Sequence, residues 1–202
     1  HAYIDFLIDR ALPELKKWWQ QYAPKMPLPF VDVFCEQGVF DLESTRRILL
    51  AARGLGFPLK LHADEFANIG GGSLAAELGA ASADHLVKTS LQGIRALAKS
   101  RTVAVSLPGT PFGLAQSEYT PARSIIEEGG TLAVASDLNP GTTWCESMQM
   151  VQALSCRYLK LTPSEALAAA TINAAAAVGR QERVGSLTPG KQADLLILTT
   201  PD

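Results

Sequence analysis

Leu59-Lys60-Leu61-His62-Ala63-Asp64-Glu65 is a short, largely apolar run that ends in ionisable groups. Leu59 to Asp64 has the length and character of a buried parallel strand. Upstream of it, Asp41 to Leu55 places Leu42, Thr45, Ile48, Leu49 and Ala52 on one helical face. Downstream, Ser73 to Leu78 predicts a second, shorter helix. A strand flanked by helices is the unit from which parallel sheets are built.

The same unit recurs along the chain. Strands are expected over Phe30 to Glu36, Ser82 to Leu86, Thr102 to Leu107 and Leu132 to Asp137, and a helix over Leu91 to Ala98. Thr120-Pro121 reads as an N-cap followed by proline at the first helical position, opening a helix through Glu128 that Gly129-Gly130 ends. Glu146 to Leu159 is another helix. Thr162-Pro163-Ser164-Glu165 is a capping box that starts an alanine-rich helix reaching Val178. Tyr3 to Tyr22 reads as one helix, interrupted or bent near Pro13.

Five strand–helix units fit either an open doubly wound sheet or part of a closed barrel, which needs eight. The polar residues favour the barrel. Glu36, the trio His62, Asp64 and Glu65, the pair Asp84 and His85, and Asp137 with Asn139 all sit at or just past strand C-terminal ends. Barrel active sites draw on several strands at that rim, whereas an open sheet binds mostly at one switch point. The expected fold is therefore α/β, a partial (β/α)8 barrel. The tail differs: Val184 to Lys191 is turn-rich and Ala193 to Leu198 reads as a strand. Residues 1–180 are expected to form the barrel part and residues 181–202 a strand of a small β-sandwich.

Composition narrows the function classes. Lys and Arg number 18 against 20 Asp and Glu, a formal charge of −2, and 47% of residues are hydrophobic against 19% charged. Such a chain is not disordered, and it lacks the basic excess that nucleic acid or anionic membranes select. Its weakly apolar stretch Ala166 to Val178 falls short of the ~18 residues of a membrane span. Cys35, Cys145 and Cys156 are odd in number and without CxxC spacing, which suits free thiols in a reducing compartment. A cytoplasmic location is expected. The chain opens at His1 and closes at Asp202 just after an apolar run, so it reads as a piece of a longer protein, and His1 is given no chemical role.

Gly70, Gly72 and Ala75 formally satisfy G-x-G-x-x-A. A dinucleotide fingerprint needs its glycines directly after the strand. Here Glu65 to Ile69 intervene, so a loop before a helix is the better reading.

His62 and Asp137 lie 75 residues apart and meet only if the fold joins two strand ends. A neutral imidazole and a carboxylate are good ligands for zinc or iron, although a catalytic zinc usually takes three protein ligands. Taken singly, His62 could be a core histidine, Asp137 a turn residue before Asn139-Pro140-Gly141, and Glu65 a solvated acid. His85 could shuttle a proton, face an oxyanion, or simply sit at the surface.

Four stretches together resemble the imidazolonepropionases of the amidohydrolase superfamily: Leu59 to Glu65; Gly79-Ala80-Ala81-Ser82-Ala83-Asp84-His85-Leu86; Ser106-Leu107-Pro108-Gly109-Thr110-Pro111-Phe112; and Ala135-Ser136-Asp137-Leu138-Asn139-Pro140-Gly141-Thr142. Thr171-Ile172-Asn173-Ala174 and the turn around Gly185, Pro189 and Lys191 are shared more widely in the superfamily. The resemblance implies a (β/α)8 barrel, represented here by about strands four to eight, with a small β-sandwich. It also implies one divalent or trivalent metal, zinc or iron, and hydrolysis of 4-imidazolone-5-propanoate to N-formimidoyl-L-glutamate in histidine degradation. By motif match His62 and Asp137 are metal ligands, Glu65 is the substrate-facing acid and His85 the histidine beside the attacking water. Asn139, Gly141 and Thr142 match positions that hold the polar end of substrate. The expected partner is this small molecule, with no nucleic acid or membrane, in a full-length protein that is a homodimer.

The family's strand-one His-x-His, its substrate-binding Arg and Tyr and a further His have no counterpart in this sequence, so the piece by itself is expected to be inactive. Two readings compete: a cytosine- or guanine-type deaminase using the same metal residues, or a non-catalytic barrel fragment serving as a binding or assembly module.

Overall fold

The structure, a computed structural model, describes residues 2–197 and 199. It opens with a continuous helical segment of α1 (Ala2–Phe6), a π-helical turn (Leu7–Ala11) and α2 (Leu12–Tyr22). Pro13 lies in the first turn of α2 and has no N–H to give the preceding turn. The irregularity therefore falls just before the proline, as a widened turn rather than a break.

Then follow β1 (Val31–Cys35), α3 (Leu42–Gly54), β2 (Leu59–Ala63), α4 (Gly71–Leu78), β3 (Ser82–His85), α5 (Leu91–Ala98), β4 (Val103–Ser106), α6 (Gly109–Gly113), α7 (Ala122–Glu127), β5 (Leu132–Val134), α8 (Met148–Tyr158), α9 (Pro163–Ala170) and α10 (Ile172–Ala177). Local chemistry sets several starts. The side chains of Asp41, Ser90 and Ser147 accept from backbone N–H groups three residues on. Thr162 and Glu165 form the reciprocal capping box.

All pairings are parallel, in the order β1-β2-β3-β4-β5. A strictly consecutive order contains no switch point, so the open doubly wound alternative is excluded and the winding is that of a barrel wall. Strand alternation does the sorting. Val33, Cys35, Leu61, Ala63 and Ala83 are buried in one core with Leu49 and Ala52 of α3, Leu74 and Ala75 of α4, and Ile94 of α5. Asp32, Phe34, Lys60, His62 and Asp84 take the opposite face, because successive strand residues point to opposite sides.

The helix expected to run to Val178 is two. Thr171, at φ −122° and ψ −90°, breaks it between α9 and α10. Asn173 Nδ2 donates to the Leu132 carbonyl (2.8 Å), and Ala177 packs with Val103, Val105 and Ala133. α10 thus leaves the outer layer and lies on β4 and β5.

The tail corrects one expectation. Residues 192–197 form no strand, and Leu195, Leu196 and Ile197 are exposed; Leu198 lies outside the described residues. A strand is stabilised by pairing with a neighbour, and, among the described residues, 193–197 pair with no strand. No helix of the described residues is long and apolar enough to cross a membrane.

Candidate active site

At the C-terminal ends of the strands several non-glycine residues adopt positive φ: Asp64 (51°), His85 (76°), Leu86 (58°) and Asp137 (53°). Each costs on the order of 1 kcal/mol, so local contacts must hold them. Asp64 is buried, and its carboxylate accepts from the backbone N–H groups of Ile69, Gly70, Gly71 and Gly72 at 3.0–3.2 Å. The glycines of the G-x-G-x-x-A stretch therefore wrap the chain's own carboxylate, which leaves no room for the dinucleotide reading. Glu36, also buried, accepts from Gln37, Glu65, Phe66 and Ala67 N–H and so fixes the loop that carries Glu65. Asp64→Asn retains one acceptor oxygen and turns an NH2 group toward N–H donors. It is expected to destabilise the folded protein by about 3 kcal/mol, read from urea unfolding; a change under about 0.5 kcal/mol would show that the loop does not depend on this charge.

His62, on β2, is opposite Asp84 of β3 and beside Phe34 of β1 in the register. Its Nδ1 lies 3.0 Å from Asp32 Oδ1. This hydrogen bond raises the imidazole's basicity, with burial opposing it. Lys60 Nζ sits 3.2 Å from Asp84 Oδ2 and also meets the Ser82 hydroxyl. Burial pushes the Asp84 carboxyl up, and the Lys60 ammonium counters that. Asp32, His62 and Asp84 offer ligand atoms within 4.8 Å of one another, close enough to hold a metal ion. A cation there would face the Lys60 ammonium, and unit charges 4 Å apart repel by about 4 kcal/mol at an effective dielectric of 20. In the sequence Asp32 and Lys60 read as ordinary strand residues.

Glu65 and His85 stand together on the rim. His85 Nδ1 lies 3.5 Å from Glu65 Oε1, an approach whose geometry makes no hydrogen bond, and Nδ1 has no other partner among the described residues. The two rings His62 and His85 are 5.2 Å apart. Burial, then the Asp137 carboxylate, pushes Glu65 up to about 7. Burial, then His62, pushes His85 down to about 4. At pH 5–6 the pair is a carboxylic acid facing a neutral imidazole, not an ion pair.

Asp137 follows β5, and its charge is felt by His62, Glu65 and His85 alike. Its Oδ2 accepts from the Thr110 hydroxyl of α6. The sequence places Thr110 in a stretch shared with the family but predicts neither this contact nor the short helix that carries it. Thr120 behaves differently from the expected cap. It is buried, its hydroxyl donates to the His85 carbonyl (2.7 Å) and accepts from Ser106 (2.8 Å), and α7 starts at Ala122 with no side-chain cap. A buried hydroxyl facing a strained carbonyl satisfies both groups at once.

Asn139 turns inward. Its Nδ2 donates to the Asp137 carbonyl (2.7 Å) and Thr142 Oγ1 (2.9 Å), and its Oδ1 accepts from the N–H of Gly141 and Thr142, both at 2.8 Å. Both amide protons and the oxygen are occupied within the loop. Gly113 lets this loop approach: a Cβ there would fall 2.1 Å from the Thr142 carbonyl oxygen. The structure thus brings His62, Glu65, His85 and Asp137 to one rim and sets Asn139, Gly141 and Thr142 in the loop directly after Asp137.

A family model described as Amidohydrolase family matches residues 60–202. An imidazolonepropionase from Herpetosiphon aurantiacus is 55% identical over 201 residues, covering 100% of this chain and 47% of that protein. Another from Symbiobacterium thermophilum is 50% identical, covering 99% and 46%. The chain thus spans about half the length of the curated relatives it matches. Among solved structures, a zinc-bound adenosine deaminase from Xanthomonas campestris superposes with a TM-score of 0.71 at 22% identity, covering 91% of this chain and 46% of that one. A guanine deaminase from C. acetobutylicum gives 0.68 at 19%, covering 91% and 49%. At these identities the likeness is one of fold.

Proposed function

The chain belongs to the amidohydrolase family, and on that premise we propose that it supplies the C-terminal half of an imidazolonepropionase, which opens 4-imidazolone-5-propanoate with water to N-formimidoyl-L-glutamate. The observation that carries this reading is the gathering of His62, Glu65, His85 and Asp137 on one rim from three strand ends, in a chain 55% identical to an imidazolonepropionase.

The donor set fits one metal ion, zinc or iron. With Nδ1 of His62 engaged by Asp32 and Oδ2 of Asp137 by Thr110, His62 Nε2 and Asp137 Oδ1 remain to hold it. When bound, such an ion acts as a Lewis acid that makes water acidic near neutral pH. The chain's own groups do the rest. Asp137 takes the proton of the attacking water at its carboxylate. Neutral His85, whose ring lies 5.2 Å from that of His62 on the rim, orients the oxygen that gains charge as water adds to the ring carbonyl carbon. Glu65, poised near 7, donates its proton to the ring nitrogen as the C–N bond breaks, and the proton that Asp137 took from water passes to Glu65 to reset both carboxyl groups for the next turnover.

Asn139 and Thr142 shape the loop that would meet the propanoate end. Because the Asn139 amide is engaged internally, its part is to hold the backbone of Gly141 and Thr142 in place. Steady-state assays of the full-length protein test the substrate assignment. Asn139→Ala and Thr142→Ala are each expected to lower kcat/KM for imidazolone propanoate by about tenfold or more. Higher turnover of guanine or cytosine than of imidazolone propanoate by the unaltered protein would replace this reading with that of a deaminase. The same reading brings with it a cytoplasmic homodimer and a boundary near residue 180, beyond which the tail pairs with strands from elsewhere in the full-length protein.

A further inference from the structure

The geometry points to Asp32 as the positioning residue of His62: it holds the imidazole in the tautomer protonated at Nδ1, so that Nε2 alone faces the rim as a ligand. This rests on the metal reading above and adds to it a residue from a different strand.

The imidazole is confined on three sides. Asp32 Oδ1 lies 3.0 Å from Nδ1. The Phe34 ring meets it edge-on at 5.9 Å and 72°, and the His85 ring lies 5.2 Å away. A carboxylate can only accept, so the proton between Asp32 and His62 resides on Nδ1, and in the neutral ring the lone pair is on Nε2. Ring orientation and tautomer are set together, as outer carboxylates do for metal-binding histidines. The register explains how a residue 30 positions away reaches the ring: Asp32 is opposite Lys60, one pleat below the Phe34–His62 pair, on the same face of the sheet.

The competing arrangement, a cation held directly by Asp32, His62 and Asp84, displaces this proton where it takes the ring at Nδ1, the nitrogen beside Asp32. It would also compete with Lys60, whose ammonium already bonds Asp84 at 3.2 Å. The Lys60–Asp84 pair neutralises itself, which leaves Asp32 as the carboxylate available to the imidazole.

Nitrogen NMR of the full-length protein labelled with 15N-histidine, stripped of metal and titrated with zinc chloride, tests this. The expected result is a His62 signal protonated at Nδ1 without metal, whose Nδ1 proton persists on zinc loading while the Nε2 resonance moves. Asp32→Ala should populate the Nε2-protonated tautomer and weaken zinc binding by about 10- to 100-fold. Asp32→Asn, whose amide oxygen can still accept from Nδ1–H, should keep the tautomer and lose less. Loss of the Nδ1 proton to zinc would overturn the inference in favour of direct ligation by Asp32. An Nε2-protonated His62 in the unaltered protein would overturn it outright, whether or not the variants fold. A protein that shows the Nδ1 tautomer and its Asp32 dependence but takes up no metal would instead sink the metal reading and leave the positioning intact.

Discussion

Replacing Asp137 in the full-length protein is expected to cut turnover of imidazolone propanoate by about a thousandfold or more, within the range typical for losing an electrostatic or acid–base group. Two variants separate chemistry from folding. Asp137→Ala removes a proposed ligand, a proton acceptor and the partner of Thr110 together. It also places alanine at φ 53°, a conformation that aspartate and asparagine tolerate better. Asp137→Asn keeps the shape, the left-handed tolerance and an oxygen for the Thr110 hydroxyl, and replaces the charge and the oxygen proposed to hold the metal with a neutral NH2 group. Both should lose activity, and Asp137→Asn should unfold within a few degrees of the unaltered protein. Loss of that charge should also let Glu65 fall back toward the ordinary carboxylate range, since the Asp137 carboxylate helps hold it near 7. A metal-loaded, folded Asp137→Asn protein working at near-normal rate would remove Asp137 from the mechanism.

The 202-residue chain expressed by itself is expected to show no measurable hydrolysis of imidazolone propanoate with added zinc or iron. Its histidines are His1, His62 and His85, so it contains no His-x-His. With His62 and Asp137 as its only proposed ligands, coordination geometry is not enforced and the metal affinity should fall by orders of magnitude against the full-length protein. β1 and β5 end the sheet with unpaired edges among the described residues, a surface that favours self-association. Isothermal titration with zinc and a hydrolysis assay of the purified chain decide the matter. Robust activity from this chain alone would mean that the metal site is built from other residues.

Much of this was legible from the sequence, and the reason is local. Each strand was placed to within one or two residues, except β5, which ends at Val134 because the chain turns to positive φ at Asp137. The caps at Asp41 and Thr162 were readable because a cap joins groups three residues apart. The rim chemistry was readable because His62, Glu65, His85 and Asp137 lie at or just past strand ends.

What could not be read depends on distance along the chain. The break at Thr171, the tail that forms no strand over 192–197, and the inward turn of the Asn139 amide reflect packing partners that no local pattern announces. Thr120, a cap by its spacing, instead serves the His85 carbonyl 35 residues earlier. Asp32 and Lys60 are ordinary strand positions until parallel register sets them beside His62 and Asp84, 30 and 24 residues away. By itself the sequence determined the elements, their order and the rim that bears the ionisable groups, because hydrophobic period and capping act within a turn or two. Only the tertiary structure decided which carboxylate meets which ring nitrogen, because that follows from strand register and from burial shared between distant segments.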